Sequence, residues 1–382
     1  MDFSFDDTQR EIADLAASVL RREPEQPWKA LDQAGLLTLA RPERLGGDGL
    51  GVIETCVVLA EVGRAAVDTP ALATLALGVL PIVHMGTLAQ QDRWLASPGV
   101  LTAAMRGQVT VNDSRAGTDR DCGAGTDRDR GAGADRDRGV GTDRDRRAGA
   151  DRDRRAGADR DRGVGTDRDR RVGTADAFLT GTKTQVPYAE HATCILVVAN
   201  DLVYSVHRQD VVLTKTHSSS GQPEYTVRLD DTPGELLGSA RHLQAFALAG
   251  ICAVGDGLLA GALELTAEHV GNRRQFGKPL ATFQAVAQQI ADVYIAARTL
   301  HLATWSAIWR LGTGRDARSA LDVAAYWLTE ELPKAMHTCH HLHGGIGVDI
   351  SYPMHRFYAL GKDLVRFAGG VEERLDQLCS SI

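Results

Sequence analysis

Arg273-Arg274-Gln275-Phe276-Gly277-Lys278-Pro279-Leu280, with Phe283-Gln284 just beyond, stands between two long helical patterns in a chain of 382 residues. Upstream, residues 243–270 are rich in Ala and Leu and carry few charges until their end. Downstream, residues 281–311 place apolar side chains at Val286, Ile290, Val293, Ile295, Ala296 and Leu300, a helical repeat. Two further patterns, 317–342 and 353–378, complete a set of apolar helices suited to a bundle. Taken alone, Arg273 reads as a cation near the carbonyl end of a helix, and Phe276 and Gln284 as a core and a surface residue. A second string gives them more weight: Leu342-His343-Gly344-Gly345-Ile346-Gly347, followed by Pro353 and Arg356.

Working outward, residues 178–183, 193–199 and 202–206 are short β-branched runs separated by turns. They predict a small antiparallel sheet, with residues 100–106 as its first strand. Residues 1–99 read as helical. Asp6-Asp7-Thr8 precedes an amphipathic run, Pro27 opens a second helix, and 53–63 and 70–80 are apolar helices. Glu61 and Arg64 read as an ion pair on a helix face. The order is helices (1–99), β middle domain (100–238), helices (239–382).

The formal net charge is -7, from 43 Lys+Arg and 50 Asp+Glu, but only six of the cations are Lys. Sixteen Arg and 14 Asp lie within 116–173, so the rest of the chain carries -9. From Gly123 the sequence runs GAGTDRDR, GAGADRDR, GVGTDRDR, RAGADRDR, RAGADRDR, GVGTDRDR. So little apolar surface cannot offset conformational entropy, and a disordered, solvated loop insertion is expected. A calcium-binding β-roll would need a nine-residue period with an apolar position in each turn. An Arg-rich nucleic-acid tail would not set Asp beside nearly every Arg. No nucleic acid is expected.

The six Cys form no CxxC pair, and the acidic start MDFSFDDTQRE lacks a signal-peptide pattern. A cytoplasmic protein is expected. The most apolar stretch, 71–85, contains Pro81 and His84 and falls short of the ~20 residues of a membrane span. It reads as buried helix, and no membrane partner is expected. His337, Cys339, His340, His341 and His343 suggest a metal tract, but they lack a second ligand pair at useful spacing, so no metal is expected.

The helix–sheet–helix order and these strings resemble the acyl-CoA dehydrogenases. Leu45-Gly46-Gly47-Asp48-Gly49-Leu50-Gly51 with Glu61-Val62-Gly63-Arg64 is similar to their N-terminal signature, and Gly181-Thr182-Lys183 to their middle-domain hairpin. The resemblance implies a helical N-terminal domain, a small β-sheet or barrel domain and a C-terminal four-helix bundle. It implies oxidation of an acyl-CoA thioester between its α and β carbons, with a Glu as base and FAD taking the hydride. It also implies an FAD shared across a subunit interface, its adenine and pyrophosphate end held by Arg273, Phe276, Gly277, Gln284, His341, Gly344 and Gly345. An Arg meets phosphate in two-pronged fashion, and paired Gly lets backbone amides approach a pyrophosphate.

Departures from the family pattern matter equally. The base position near the C-terminus, aligned on Lys362, is Ala368. The alternative position on the helix before Arg273 is Ala247, with Leu248 beside it. Glu372 and Glu373 lie close enough to offer a displaced base. The Tyr/Thr-Glu-Pro string that binds flavin after the first strand is missing from 101–107, and Gln185-Val186-Pro187 replaces a Trp-Ile-Thr segment. The half facing a neighbour's FAD is kept, and the half holding the chain's own is altered. Actinobacterial steroid and side-chain catabolism has α2β2 forms of the family in which one subunit type lacks the base, and the sequence is similar to that type. The resemblance thus implies a homologous catalytic partner subunit. A self-sufficient homo-oligomeric enzyme and a non-enzymatic scaffold are the competing expectations.

Overall fold

The computed structural model describes residues 5–97, 99–113 and 176–380; the 116–173 repeat lies outside the described residues. Helix α1 (Asp7–Arg22) begins on a reciprocal cap. Asp6 accepts the Gln9 amide at 2.8 Å, and the Gln9 side chain accepts the Asp6 amide at 3.2 Å. Next come α2 (Pro27–Gln33) and α3 (Val52–Ala65). Glu61 and Arg64 pair at 3.5 Å, and Arg64 also reaches Glu264. Residues Leu72–Val79 then form a wide-turn helix passing into α4 (Leu80–Met85). Pro81 supplies a reason: it has no N–H, and its ring crowds the carbonyl one turn back. The wider winding, seen where Leu80 N–H reaches the Leu75 carbonyl, accommodates that crowding. Helix α5 (Leu88–Leu95) follows.

Strands β1 (Val100–Ala104), β2 (Val109–Asp113), β3 (Asp176–Pro187), β4 (Ala192–Ala199), β5 (Leu202–His207), β6 (Val212–Thr216) and β7 (Glu224–Ser239) form one sheet in the order β1-β4-β5-β7-β3-β2, with β6 on β7. The expected all-antiparallel sheet is corrected at one edge, where β1 pairs with β4 in parallel. The chain crosses to the far edge as β2 and β3 before returning as β4, the long connection that parallel pairing requires. Strands β2 and β3 pair from Val109–Gly181 to Asp113–Ala177, so the chain leaves toward the repeat and returns from it on neighbouring strands. Along β4 the faces alternate: Cys194 and Leu196 join the helical core, Ile195 and Val197 the core of the sheet domain.

The last segment comprises α6 (Ala240–Asn272), a small hairpin β8 (Arg274–Gln275) and β9 (Lys278–Pro279), α7 (Gln284–Gly312), α8 (Arg318–His343), α9 (Met354–Ala368) and α10 (Gly370–Ser380). The single helix expected over 353–378 is corrected to two. Gly369, at φ 111, ends α9 in a left-handed turn. Helix α6 is long and apolar enough to cross a membrane, yet 83% of its apolar window is buried within the protein. It packs on α3 at backbone distance. A methyl group on Gly257 would lie 1.7 Å from the Ala60 carbonyl oxygen, and one on Gly63 would lie 2.0 Å from that of Val254.

Candidate functional site

The two positions expected for a base, 121 residues apart in sequence, meet in space: Ala247 in α6 and Ala368 at the end of α9, each 2% exposed, line one cavity of about 750 Å³. Such a volume suits a small-molecule site, typically ~300–1,000 Å³. Phe246, Leu248, Ile251 and Phe367 give it apolar walls. Glu373 reaches this cavity, whereas Glu372 is exposed and outside its lining. Glu373 is engaged on two sides, by Arg106 at 3.1 Å and Arg374 at 2.7 Å. Burial alone would raise its pKa, but the hydrogen bonds and charges of Arg106 and Arg374 outweigh it and hold the carboxyl below its ordinary range. A carboxylate so paired is a weak proton acceptor.

Sequence reasoning missed a further carboxylate. Asp322 in α8 is buried in the cavity lining, and burial raises its pKa against the opposing charges of Arg374 and Arg318. The signal was an acid among Leu321, Ala324 and Ala325, the buried stripe of α8.

The seat expected for the chain's own flavin ring lies beside Gln185-Val186-Pro187. Gln185 adopts φ 58, and its buried amide oxygen has no hydrogen-bond partner among the described residues. The space here, bordered also by Glu224, Asp363, Arg366 and Phe367, is a cavity of about 70 Å³. Polar groups close around it. Arg366 binds Glu224 at 3.1 and 2.5 Å and Asp363 at 3.3 Å, and Asp363 accepts the amides of Ser219 and Ser220 at 2.8 and 2.7 Å. A three-ring isoalloxazine does not fit there.

The other half is open. Arg273 ends α6, its amide bonded to the His269 carbonyl at 2.8 Å. Its exposed guanidinium has no partner among the described residues. The β8–β9 turn sets Phe276 at φ 51 and Gly277 at φ 81, and Phe276 is 92% exposed. A bulky side chain in the left-handed region is strained. Arg274 donates to the Gly277 carbonyl at 3.0 Å, and Lys278 stands 4.2 Å above the Phe283 ring. Gln284 opens α7, whose first turn has no side-chain cap, leaving amides free for an anion. His341 is exposed near the end of α8. Gly344, at φ 62, turns the chain out of that helix, and open space surrounds both Gly344 and Gly345. Three cations, free amides and bare glycines fit a pyrophosphate.

The Arg273 and Gly344-Gly345 segments share no hydrogen bond or ion pair among the described residues. They are joined through rings: His269 stacks on His343 at 4.6 Å, and Tyr352 meets His343 at 5.3 Å. Apolar side chains are exposed at Ile346, Val348 and Ile350 in the loop after α8 and at Tyr294, Ile295 and Leu302 on α7. Ile295 therefore faces outward, although Val293 and Leu300 of the same pattern are buried.

A family model described as the acyl-CoA dehydrogenase N-terminal domain matches residues 6–98, and one described as the C-terminal domain matches 245–378. Acyl-CoA dehydrogenase FadE28 of Mycobacterium tuberculosis (strain ATCC 25618 / H37Rv) is 40% identical over 388 aligned residues, spanning 99% of this chain and 98% of that protein. Among solved structures, the ChsE4-ChsE5 complex from Mycobacterium tuberculosis is similar with a TM-score of 0.79 and 25% identity, over 100% of this chain and 98% of the matched one. A variant of the Tcur3481-Tcur3483 steroid ACAD is similar with a TM-score of 0.77 and 27% identity, over 98% and 97%.

Proposed function

The chain belongs to the acyl-CoA dehydrogenase family, oxidoreductases acting on CH–CH bonds, and on that premise we propose that it is the non-catalytic subunit of a heteromeric enzyme. It pairs with a homologous subunit that bears the catalytic Glu, in an α2β2 assembly that holds one FAD per pair of unlike chains. The observation carrying this reading is the pairing of Ala247 and Ala368 in one cavity whose lining glutamate, Glu373, is tied to two arginines. Neither alanine accepts a proton, and the flavin-ring seat beside Gln185 is too small.

Bound FAD supplies the hydride acceptor. This chain's part is to bind and orient. Arg273 neutralises the phosphates, Gly344 and Gly345 admit the backbone to them, and Gln284 and His341 offer hydrogen bonds. Phe276 and Gly277 present an exposed ring and an open turn to the partner's side. The apolar loop 346–350 and the outer face of α7 bury themselves against that partner. The substrate is an acyl-CoA, and the steroid ACAD named among the similar structures supports a steroid side-chain thioester. The cysteines unpaired among the described residues suit a reducing compartment, and hence the cytoplasm.

Acyl-CoA oxidation by this chain alone, by the partner alone and by the two together, followed with an artificial electron acceptor, tests the reading. Turnover is expected only from the pair, and turnover by this chain alone contradicts it. The scaffold alternative differs in one respect: under it, Arg273→Ala leaves the partner's flavin content intact.

A further inference from the structure

We propose that His343 is the positioning residue of the cradle: its ring fixes the Gly344-Gly345 turn against the Arg273 segment, and the join loosens when the ring gains a proton. The inference rests on the reading of those segments as a flavin phosphate site.

The geometry carries it. His343 is the last residue of α8, and Gly344 leaves the helix immediately after it. His343 is buried, 5% exposed. Its Nδ1 lies 2.7 Å from the Cys339 carbonyl, which accepts only, so Nδ1 carries the hydrogen and donates. That bond sets the ring plane. One side stacks on His269 at 4.6 Å with planes 24° apart, and Tyr352 packs at 5.3 Å and 53°. His269 is four residues before Arg273 and accepts the Arg273 amide on its carbonyl. Tyr352 follows the loop that begins at Gly344. A single ring therefore touches both ends of the cradle; its Nε2 is buried beside the Leu265 backbone and makes no well-aligned hydrogen bond among the described residues.

A second proton would go to that Nε2. Among the described residues no carboxylate pairs with the ring to receive the charge. The groups facing it are His269 on α6, with Arg273 beyond, His340 and Cys339 on its own helix, and Tyr352, which Glu268 neighbours. Burial holds His343 below the ordinary histidine range; hydrogen bonding to the Cys339 and Leu265 backbone opposes this, and His269 and His340 add to it. Burial and then Arg273 lower His269 likewise. The sign follows. Both rings are neutral in the formed stack, so its stability is fully present above the free histidine pKa of ~6.5 and declines as pH falls below it.

The test uses the intact heteromer and measures FAD affinity by the fluorescence of released flavin at about pH 7.5 and about pH 5.5, with sedimentation at both. Wild type is expected to bind FAD at least about fivefold more weakly at the lower pH, with the assembly unchanged. His343→Phe keeps a flat ring with no proton to gain. Having lost the bond to Cys339, it is expected to bind FAD more weakly than wild type at the higher pH but more tightly than His343→Ala, and to lose most of the pH dependence. His343→Ala is expected to bind more weakly at both. Full wild-type pH dependence in His343→Phe overturns the proposal, as does wild-type affinity in His343→Ala. If His343→Ala fails to fold, His343→Phe decides alone. Arg273→Ala separates the two levels. If it leaves FAD affinity unchanged, the flavin-site reading itself fails. If it weakens binding while the His343 variants do not, only the positioning proposal fails.

Discussion

Two regions of this molecule treat their charges in opposite ways. Beside Gln185 and in the large cavity, charged groups bind one another: Arg366 with Glu224 and Asp363, Glu373 with Arg106 and Arg374. Around the β8–β9 hairpin, Arg273 has no partner among the described residues, the glycines are bare and Phe276 stands in solvent. The difference follows from where the counter-charge comes from. A buried charge left unpaired costs several kcal/mol, so a pocket without its ligand becomes self-satisfied. An exposed cation such as Arg273 carries little penalty unpaired and keeps its donors free, which is what the proposed phosphate site requires.

Breaking the open region should have the largest effects. Ile350→Asp places a charge in the apolar loop after α8, and a central interface contact is worth ~2 kcal/mol or more. About thirtyfold weaker association of the unlike chains is expected by sedimentation, with the isolated subunit's melting temperature unchanged. Next is Arg273→Ala, which removes a charged hydrogen bond worth ~1.5–3 kcal/mol. FAD affinity of the complex should fall about 10- to 150-fold, measured by flavin titration into apo complex.

Changes in the closed region should barely register in turnover. Glu373→Gln and Asp322→Asn test the two cavity carboxylates, and kcat of the complex should stay within about twofold for each. A loss of several orders of magnitude from either would make that residue the base. Ala368→Glu sharpens the comparison from the other side. Restoring a carboxylate there should give this chain no turnover of its own, because the flavin-ring seat remains filled by side chains. Glu373→Gln also carries a stability signature. The Glu373 pKa is depressed, so its contribution is present above the unfolded carboxyl value of ~4.3 and lost as pH falls through the folded one. The variant should flatten the acid limb of the denaturation curve.

Much of the fold was legible because it is written in local periodicity. The α6, α7 and α8 patterns and the β-branched runs of β3, β4 and β5 each declare themselves within a dozen residues. The parallel β1–β4 pair did not, because nothing local records which strand a chain returns to. Strand β7 was missed for another reason. Arg228, Asp230 and Asp231 on its outer face and Pro233 within it mask the alternation of the buried Tyr225, Val227 and Leu229. The break at Gly369-Gly370 had a signal in the two glycines themselves. At the site, Ala247 and Ala368 were reached by counting from motifs, and their shared cavity accords with that count. The Arg366–Glu224 closure, across 142 residues, and the His269–His343–Tyr352 stack depend on tertiary packing and leave no trace in spacing.

The most direct test of the central claim is the flavin content of the purified complex of this chain with its Glu-bearing partner. Absorbance of released FAD against the quantity of each chain gives the ratio. One FAD per pair of unlike chains is the predicted result, and two FAD per pair would contradict it.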